Sequence, residues 1–314
     1  MDLRQLTTFL HVAELGSLSK ASERLRIAQP ALSRQVRLLE EELGVPLFLR
    51  HGRGMTLTAA GDRLRARASG ILRQLDETRA DLLQEAAAVR GKVVFGLPPT
   101  VSAVLSTRLI ERVLSAYPEV TLRVVQAFSG YLLDWLQSGE VDIAVVYAGL
   151  PVTGVRQAPL LMEMLHFVTP AGTGLSPHQA VPFPEIARER LVLPGPSHGL
   201  RRLVEAEAAQ QGIILRVAVE ADDLQVLKDL TRKRLGSTVL PLAAVHAEVA
   251  VGQLCAAPIV EPPLSRRLSV ATALGRPVSN AVACFGRELR DEVGAMVREG
   301  VWLGHLLDGD RKPA

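Results

Sequence analysis

The stretch from Asp2 to Thr58 constrains this chain more than any other: DLRQLTTFLHVAELGSLSKASERLRIAQPALSRQVRLLEEELGVPLFLRHGRGMTLT. Asp2 has the chemistry of a helix cap, and Gln5, three residues on, that of its reciprocal partner. Leu3, Leu6, Phe9, Leu10 and Ala13 follow at helical spacing and make one apolar face. Gly16 and Ser17 end that helix and open a second, with Leu18, Ala21 and Leu25 inside. After a break at Arg26–Ala28 a third helix opens at Gln29-Pro30. Pro30 suits the first helical position, where its missing N–H costs nothing. Leu32, Val36, Leu39 and Leu43 bury this helix, and its other face carries Gln29, Ser33, Arg34 and Arg37.

Two short helices joined by a tight break, the second with a polar and basic face, fit a helix-turn-helix. Gln29 can pair with an adenine edge or contact a phosphate. Ser33 and Arg34 can reach base edges, and Arg37 a phosphate. Periodicity alone fits a small helical bundle with an ordinary charged face equally well. Beyond the third helix, Leu47 and Phe48 read as core plugs, and Arg50, His51, Gly52, Arg53 and Gly54 as a basic loop. The two glycines permit a tight hairpin that returns along Met55–Leu57. Arg50 and Arg53 then sit where a minor groove or phosphate is met.

The string from Phe9 to Gly61 closely resembles the amino-terminal domain of LysR-type transcriptional regulators. It carries the family's AxxL, QPALSxQ, LExxLGxxLFxR and LTxAG patterns. The resemblance implies a winged helix-turn-helix over 1–58, a linker and dimerisation helix over 59–90, and then two α/β subdomains shaped like periplasmic binding proteins. Lobe I is expected over 91–163 with 267–302, lobe II over 164–266, and a loose polar tail over 303–314. The function implied is a DNA-binding regulator controlled by a small-molecule effector, with no enzymatic activity. Its expected partners are double-stranded promoter DNA, a second copy of the chain, a tetramer as a dimer of dimers, the effector and RNA polymerase.

Global features agree with this reading. A chain of 314 residues suits two or three domains with real cores. The net charge is only +3, and residues 1–58 hold eight basic side chains against six acidic ones. Three of those acids are consecutive, Glu40–Glu42, away from the turn expected to face DNA. Cys255 and Cys284 stand far apart, without disulfide or zinc spacing, and no metal or cofactor is expected. No apolar run reaches membrane-spanning length, so the expected location is the cytoplasm.

Thr58 reads as the cap of the long helix, with Asp62 in its first turn. Leu64, Ala68, Ile71, Leu75 and Leu82 recur along it as a stripe that one helix cannot bury alone. The expectation is a seam with a partner chain. From Gly91 onward strands and helices alternate, which predicts a parallel sheet with helices on both faces. Strands are expected at Lys92–Leu97, Val120–Gln126, Val141–Val146, His166–Thr169, Leu191–Leu193, Ile213–Glu220, Ser237–Leu240 and Leu268–Ala273. The fragments GLPPT, YPEVTLRV, SGYLLDWLQSGEVDIAVVY and GSTVLP also resemble the family's effector domain.

Two such lobes enclose a cleft, and ligands in α/β sheets sit at strand carboxyl ends against helix N-termini. Thr100, Ser102 and Ser129 stand at those strand-to-helix turns, and Thr169 and Pro194–Ser197 face them from lobe II. Hydroxyls beside helix N-termini favour an anionic effector. Simple capping explains each hydroxyl equally well, and His198 reads as an ordinary loop histidine. Asp142 reads as a structural anchor at a strand end. One departure from the family pattern is Arg234, which stands where a glycine is usual two residues before Gly236. A left-handed backbone there would strain it. Two other functions compete: a DNA-binding protein that ignores small molecules, and an enzyme using the cleft. No HExxH, GxSxG or phosphate-loop motif supports the enzyme.

Overall fold

The computed structural model describes residues 1–51, 54–83, 89–148 and 152–307. Helix α1 (Leu3–Leu15) opens with the reciprocal cap: Gln5 N–H donates to the Asp2 carboxylate, and Asp2 N–H to the Gln5 side chain, both at 2.8 Å. It ends at Gly16, whose φ is +60°. Helix α2 (Leu18–Leu25), capped by the Ser17 hydroxyl, ends on Arg26 with φ +55°. A side chain in that region costs about 1 kcal/mol, and the Ser22 hydroxyl donating to the Ile27 carbonyl at 2.6 Å helps hold the turn. Helix α3 (Gln29–Leu43) has Gln29 as its first residue, so Pro30 occupies the second position rather than the first. Phe9, Val12, Ala21, Leu32, Val36, Leu39, Leu47, Phe48 and Met55 form the core these helices share.

Strands β1 (Phe48–His51) and β2 (Gly54–Leu57) pair antiparallel as a wing. Gly54, at φ +139°, passes so close to Gly16 that a Cβ would lie 2.5 Å from the Gly16 carbonyl oxygen. Met55 N–H donates to that same oxygen at 2.8 Å, which ties the wing to the end of α1. Helix α4 (Ala59–Leu83) follows, with Gly61 N–H donating to the Thr58 hydroxyl at 3.0 Å.

The stripe along α4 divides. Leu64 packs on the core of the small domain, and Ala68 is fully buried within its own chain. Their burial needs no partner, contrary to expectation, because α1 lies along this part of α4. Ile71 is 43% exposed, and Leu75 lines an open groove with Leu3, Ile27 and Leu72. The Leu82 side chain lies outside the described residues. At Gly70 the helix crosses lobe I so closely that a Cβ would meet the Ser138 carbonyl oxygen at 2.8 Å. Arg276 lies beside the same point and donates to the Gln137 carbonyl at 3.0 Å.

Lobe I begins with β3 (Gly91–Leu97), α5 (Pro99–Ala116), β4 (Val120–Gln126), α6 (Ser129–Ser138) and β5 (Ile143–Tyr147). These three strands are parallel, in the order β4-β3-β5. Asp142 anchors them as expected, accepting from Val94 N–H at 2.7 Å. Next comes β6 (Val155–Pro170), one continuous strand of 16 residues. The sequence pattern places only His166–Thr169 of it in a strand. The register shift of β6 against its neighbour falls beside Pro159, and a bulge tolerates a residue with no N–H to donate.

Lobe II holds β7 (Val181–Pro182), α7 (Phe183–Ile186), β8 (Arg190–Leu193), α8 (Gly199–Gln210), β9 (Arg216–Glu220), α9 (Leu224–Arg232), β10 (Thr238–Pro241), α10 (Leu242–Ala250) and β11 (Leu254–Val260). The chain returns through β12 (Ser265–Ala273) to α11 (Asn280–Arg298) and β13 (Gly304–Leu306). Strands β10, β11, β12 and β13 all run antiparallel to β6, so the expected parallel sheet is in fact mixed. Each lobe keeps its own apolar core, around Phe95 and Phe285 in one and Phe183 and Val204 in the other. The crossing strands β6 and β12 join them.

Arg234 adopts φ +62°, the backbone that the usual glycine would take without strain. Its guanidinium donates to the Ala171 carbonyl at 2.9 Å, so the strained turn gains a contact no glycine could make.

Candidate functional site

Two places gather chemistry. The first is the outer face of α3. Burial of Leu32, Val36 and Leu39 turns Gln29, Pro30, Arg34 and Arg37 outward, all exposed, with Ser33 half-buried beside them. The Ser19 hydroxyl donates to the Gln29 side chain at 3.3 Å, which links α2 to the start of α3. Arg37 lies 4.0 Å from Glu41 on its own helix. Ala28 gives α3 no side-chain cap; Pro30 has no N–H, and Ala31 and Leu32 N–H donate to the Ala28 carbonyl at 2.9 and 3.2 Å, so of the first turn only Gln29 N–H has no partner within the helix. Arg50 belongs to β1, opposite Met55. Its side chain, and the whole of Arg53, lie outside the described residues.

The second place is a cleft of about 390 Å³ between the lobes. Thr100, Ser129, Pro194 and Ser197 line it, as expected. Ser102 and Thr169 do not. Ser102, two residues further along α5, is buried, accepting from the Gln126 side chain at 2.6 Å and bonding Ser106 at 2.8 Å. Thr169 sits near the far end of β6, paired with Thr173 at 2.7 Å. The residue capping α8 is His198 rather than Ser197: Leu200 N–H donates to His198 Nδ1 at 3.0 Å. Ser129 does not cap its own helix either, because its hydroxyl accepts from Tyr147 N–H at 3.0 Å.

The centre of the cleft is a polar network invisible to local patterns. Arg266, only 9% exposed, comes from β12 and Glu163 from β6. Arg266 Nε donates to Glu163 at 2.6 Å, and Trp302 Nε1 donates to the other Glu163 oxygen at 2.8 Å. Arg266 Nη2 donates to the Thr100 hydroxyl at 3.2 Å. The guanidinium carbon lies 3.8 Å from the centre of the Tyr147 ring, and the Tyr147 hydroxyl bonds Thr100. Arg266 Nη1 is sealed from solvent and has no protein acceptor. Burial pushes the Tyr147 phenol above its ordinary range, so it stays protonated. Phe128, Leu200, Leu203, Leu224, Leu227 and Leu240 make the apolar wall.

His198 spans the gap. Its ring meets Phe128 of lobe I edge-on, with centroids 4.7 Å apart. Burial, then the Arg266 charge, lowers its pKa to about 4, so the ring is neutral at pH 7. With Nδ1 accepting from backbone, the proton rests on Nε2. Among the described residues no cluster of ligating side chains could hold a metal, and no helix is long and apolar enough to cross a membrane.

Comparison with known proteins places both sites in one context. Residues 3–62 match the model of the bacterial regulatory helix-turn-helix proteins of the lysR family, and residues 86–294 that of the LysR substrate binding domain. The chain is 30% identical over 305 residues to the transcriptional regulator BbuR of Bordetella bronchiseptica, covering 97% of this chain and 94% of that protein. It is 34% identical to the nitrogen assimilation regulatory protein of Klebsiella aerogenes, over 86% of this chain and 88% of the relative. A full-length OxyR variant of Pseudomonas aeruginosa superposes with a TM-score of 0.73 at 25% identity, covering 93% of this chain and 94% of that one. The fold is also that of full-length CbnR complexed with its target DNA, at a TM-score of 0.66, 23% identity, and coverage of 93% and 100%. With its helix-turn-helix, its two-lobed cleft and both matched domains, the chain belongs to the LysR family of transcriptional regulators: it is a DNA-binding regulator with an effector-binding domain, of a family of regulators rather than enzymes.

Proposed function

We propose that this protein binds promoter DNA as a dimer, and as a dimer of dimers, and changes its grip when a small molecule fills the cleft. The observation that carries the reading is the exposed polar face of α3, which opens on an uncapped N-terminus. Gln29, Ser33 and Arg34 read base edges in the major groove, with Pro30 setting the helix start. Arg37, with Arg50 and Arg53 of the wing, meets phosphates. A second copy covers Ile71 and the groove along Leu3, Ile27, Leu72 and Leu75; Ile71, Leu3 and Ile27 are large apolar side chains that a lone chain leaves exposed, and Leu72 and Leu75 are half-buried beside them. The working units are the winged domain over 1–58, the linker helix over 59–90, and the two lobes.

In the cleft, Thr100, Ser129, Pro194 and Ser197 contact the effector from both lobes. A ligand that binds one lobe arrangement better than another shifts the population toward it. The protein acts in the cytoplasm, where its DNA lies, and RNA polymerase is its downstream partner. The test is footprinting of the full-length protein on the region upstream of its own gene. Parent should protect two half-sites about one or more helical turns apart, and Arg34→Ala should lose that selectivity. Protection unchanged by Arg34→Ala would remove α3 as the reading helix.

A further inference from the structure

We propose that lobe II carries a second DNA-contacting surface, at its pole away from the cleft, which holds the phosphate backbone of DNA flanking the half-sites. This contact adds to the one assigned to the winged domain and involves no effector.

Topology builds the surface. Strands β8 and β9 run parallel, with Arg190 and Arg216 as register partners at their first residues. Neighbouring strands lie about 4.8 Å apart, and residues in register share a face, so two guanidiniums leave the sheet side by side. The turn into β10 arrives at the same end. Ser237 N–H donates to the Arg190 carbonyl at 2.8 Å, and a Cβ on Gly236 would meet that oxygen at 2.8 Å. This close seat brings Arg232, Lys233 and Arg234 up to the start of β8, and Arg188 stands two residues ahead of Arg190. All six bases are exposed. Pro194, which follows the other end of β8, lines the cleft, so the length of that strand separates the two places.

The charge there is largely uncompensated. Arg232 pairs with Asp229 at 2.7 Å. Arg234 donates to a neutral carbonyl, that of Ala171, and keeps its full charge. Arg188, Arg190, Arg216 and Lys233 have no ion pair among the described residues. Across 188–190, 214–216 and 232–235 the single carboxylate is Glu189. Like charges set side by side on a sheet repel, and a polyanion relieves that repulsion. The turn at Arg234, with φ +62°, puts a cation where a glycine would put none.

The occupant is DNA because the protein already holds that polyanion. Once the winged domain is bound, flanking phosphates meet lobe II at the effective concentration of a tether rather than from free solution. A duplex also offers a negative charge about every 1.7 Å, which suits a row of bases without a pocket. An acidic protein surface is the competing occupant, because Ile214, 89% exposed, and Leu235, 43% exposed, lie among the bases.

The experiment measures binding of the full-length protein to two duplexes across a range of salt. One is cut to the two half-sites, and the other runs about three helical turns further on each side. Parent should bind the longer duplex roughly tenfold more tightly at low salt. Its salt dependence should be steeper by about three, the value of about three further phosphates. Arg190→Gln with Arg216→Gln and Lys233→Gln should remove that advantage and bind the short duplex as parent does. Arg190→Lys with Arg216→Lys keeps the charge and should retain it. Phosphate-ethylation interference needs no variant: modified phosphates outside the half-sites should weaken binding of the parent. Absence of such interference, equal behaviour of the two duplexes in the parent, an advantage that survives the glutamine variant, or equal weakening on both duplexes would overturn the proposal. So would poly-glutamate bound by parent and lost in the glutamine variant without any effect of duplex length, the result that assigns the surface to an acidic protein.

Discussion

The DNA-reading end and the cleft solve opposite problems. On α3 the chemistry faces water, and a small apolar core aims it: Leu32 and Val36 point in, so Gln29 and Arg34 point out. Gln29 has one side-chain neighbour there, the Ser19 hydroxyl. In the cleft the chemistry is buried, and the groups aim each other. Glu163 fixes Arg266, Arg266 and Tyr147 fix Thr100, and the Tyr147 backbone fixes Ser129. An exposed face tolerates single replacements. A buried network does not, because each loss strands a partner away from water.

The sharpest way to break this contrast is Glu163→Ala. It leaves Arg266 as an uncompensated buried charge and Trp302 Nε1 without an acceptor. Removing one member of such a pair costs about 3–5 kcal/mol. Thermal unfolding should show the lobes melting far earlier while the small domain is spared. An unchanged lobe transition would mean the network contributes little.

Leu32→Ala makes the complementary test in the reading domain. Leu32 is fully buried in a small core, and such truncations cost about 2–5 kcal/mol. DNA binding should fail while the lobes keep their own cooperative thermal transition. If both are lost together, the two regions do not fold as separate units.

Arg34→Ala should cost less, about 1–3 kcal/mol of preference for the operator over random DNA. Arg37→Ala should instead weaken both DNAs alike, with a shallower dependence on salt. Competition titrations at two salt concentrations decide between the roles. Indistinguishable behaviour of the two variants would erase the division into reading and positioning residues.

Acid should act on the cleft through His198. Its folded pKa of about 4 lies below its ordinary 6.5. The unfolded chain therefore binds the extra proton first as pH falls. The stability of the neutral ring is complete above about pH 6.5 and is lost progressively toward pH 4. Buried His166, lowered by desolvation, adds a slope of the same sign. Replacing His198 with glutamine should flatten the lobe melting temperature between pH 6.5 and 4. An unaltered slope would assign the whole effect to His166 or other groups.

Much of the small domain was legible because its information is local. The cap at Asp2 and Gln5, the stop at Gly16, and the start of α3 each lie within a few residues of their cause. The cleft was only half legible. Thr100 and Ser129 stand at strand-to-helix turns, which alternation of strands and helices reveals. Arg266 and Glu163 are 103 residues apart, and Arg266 and Thr100 are 166 apart. No periodicity links such pairs. A signal was nonetheless present in Arg266 and Arg267, two adjacent arginines ahead of an apolar strand, where at least one must point inward. Ser102 misled because it shares a turn with Thr100 but lies on the inner face of α5. The α4 stripe misled because apolar spacing cannot say whether the covering surface belongs to the same chain.

The contact at Gly70 gives α4 the mechanics of a lever. Only a residue without a side chain lets the helix rest on lobe I there. Twelve residues separate that fulcrum from Thr58 at the root of the small domain, about 18 Å of helix at about 1.5 Å per residue. A tilt of about 10° about Gly70 would carry the root of the small domain sideways by about 3 Å, close to the roughly 3.4 Å step between successive bases on a DNA strand. Were one lobe to rock about that contact, the motion would reach the duplex as a displacement of one rung, without any change in α3 itself.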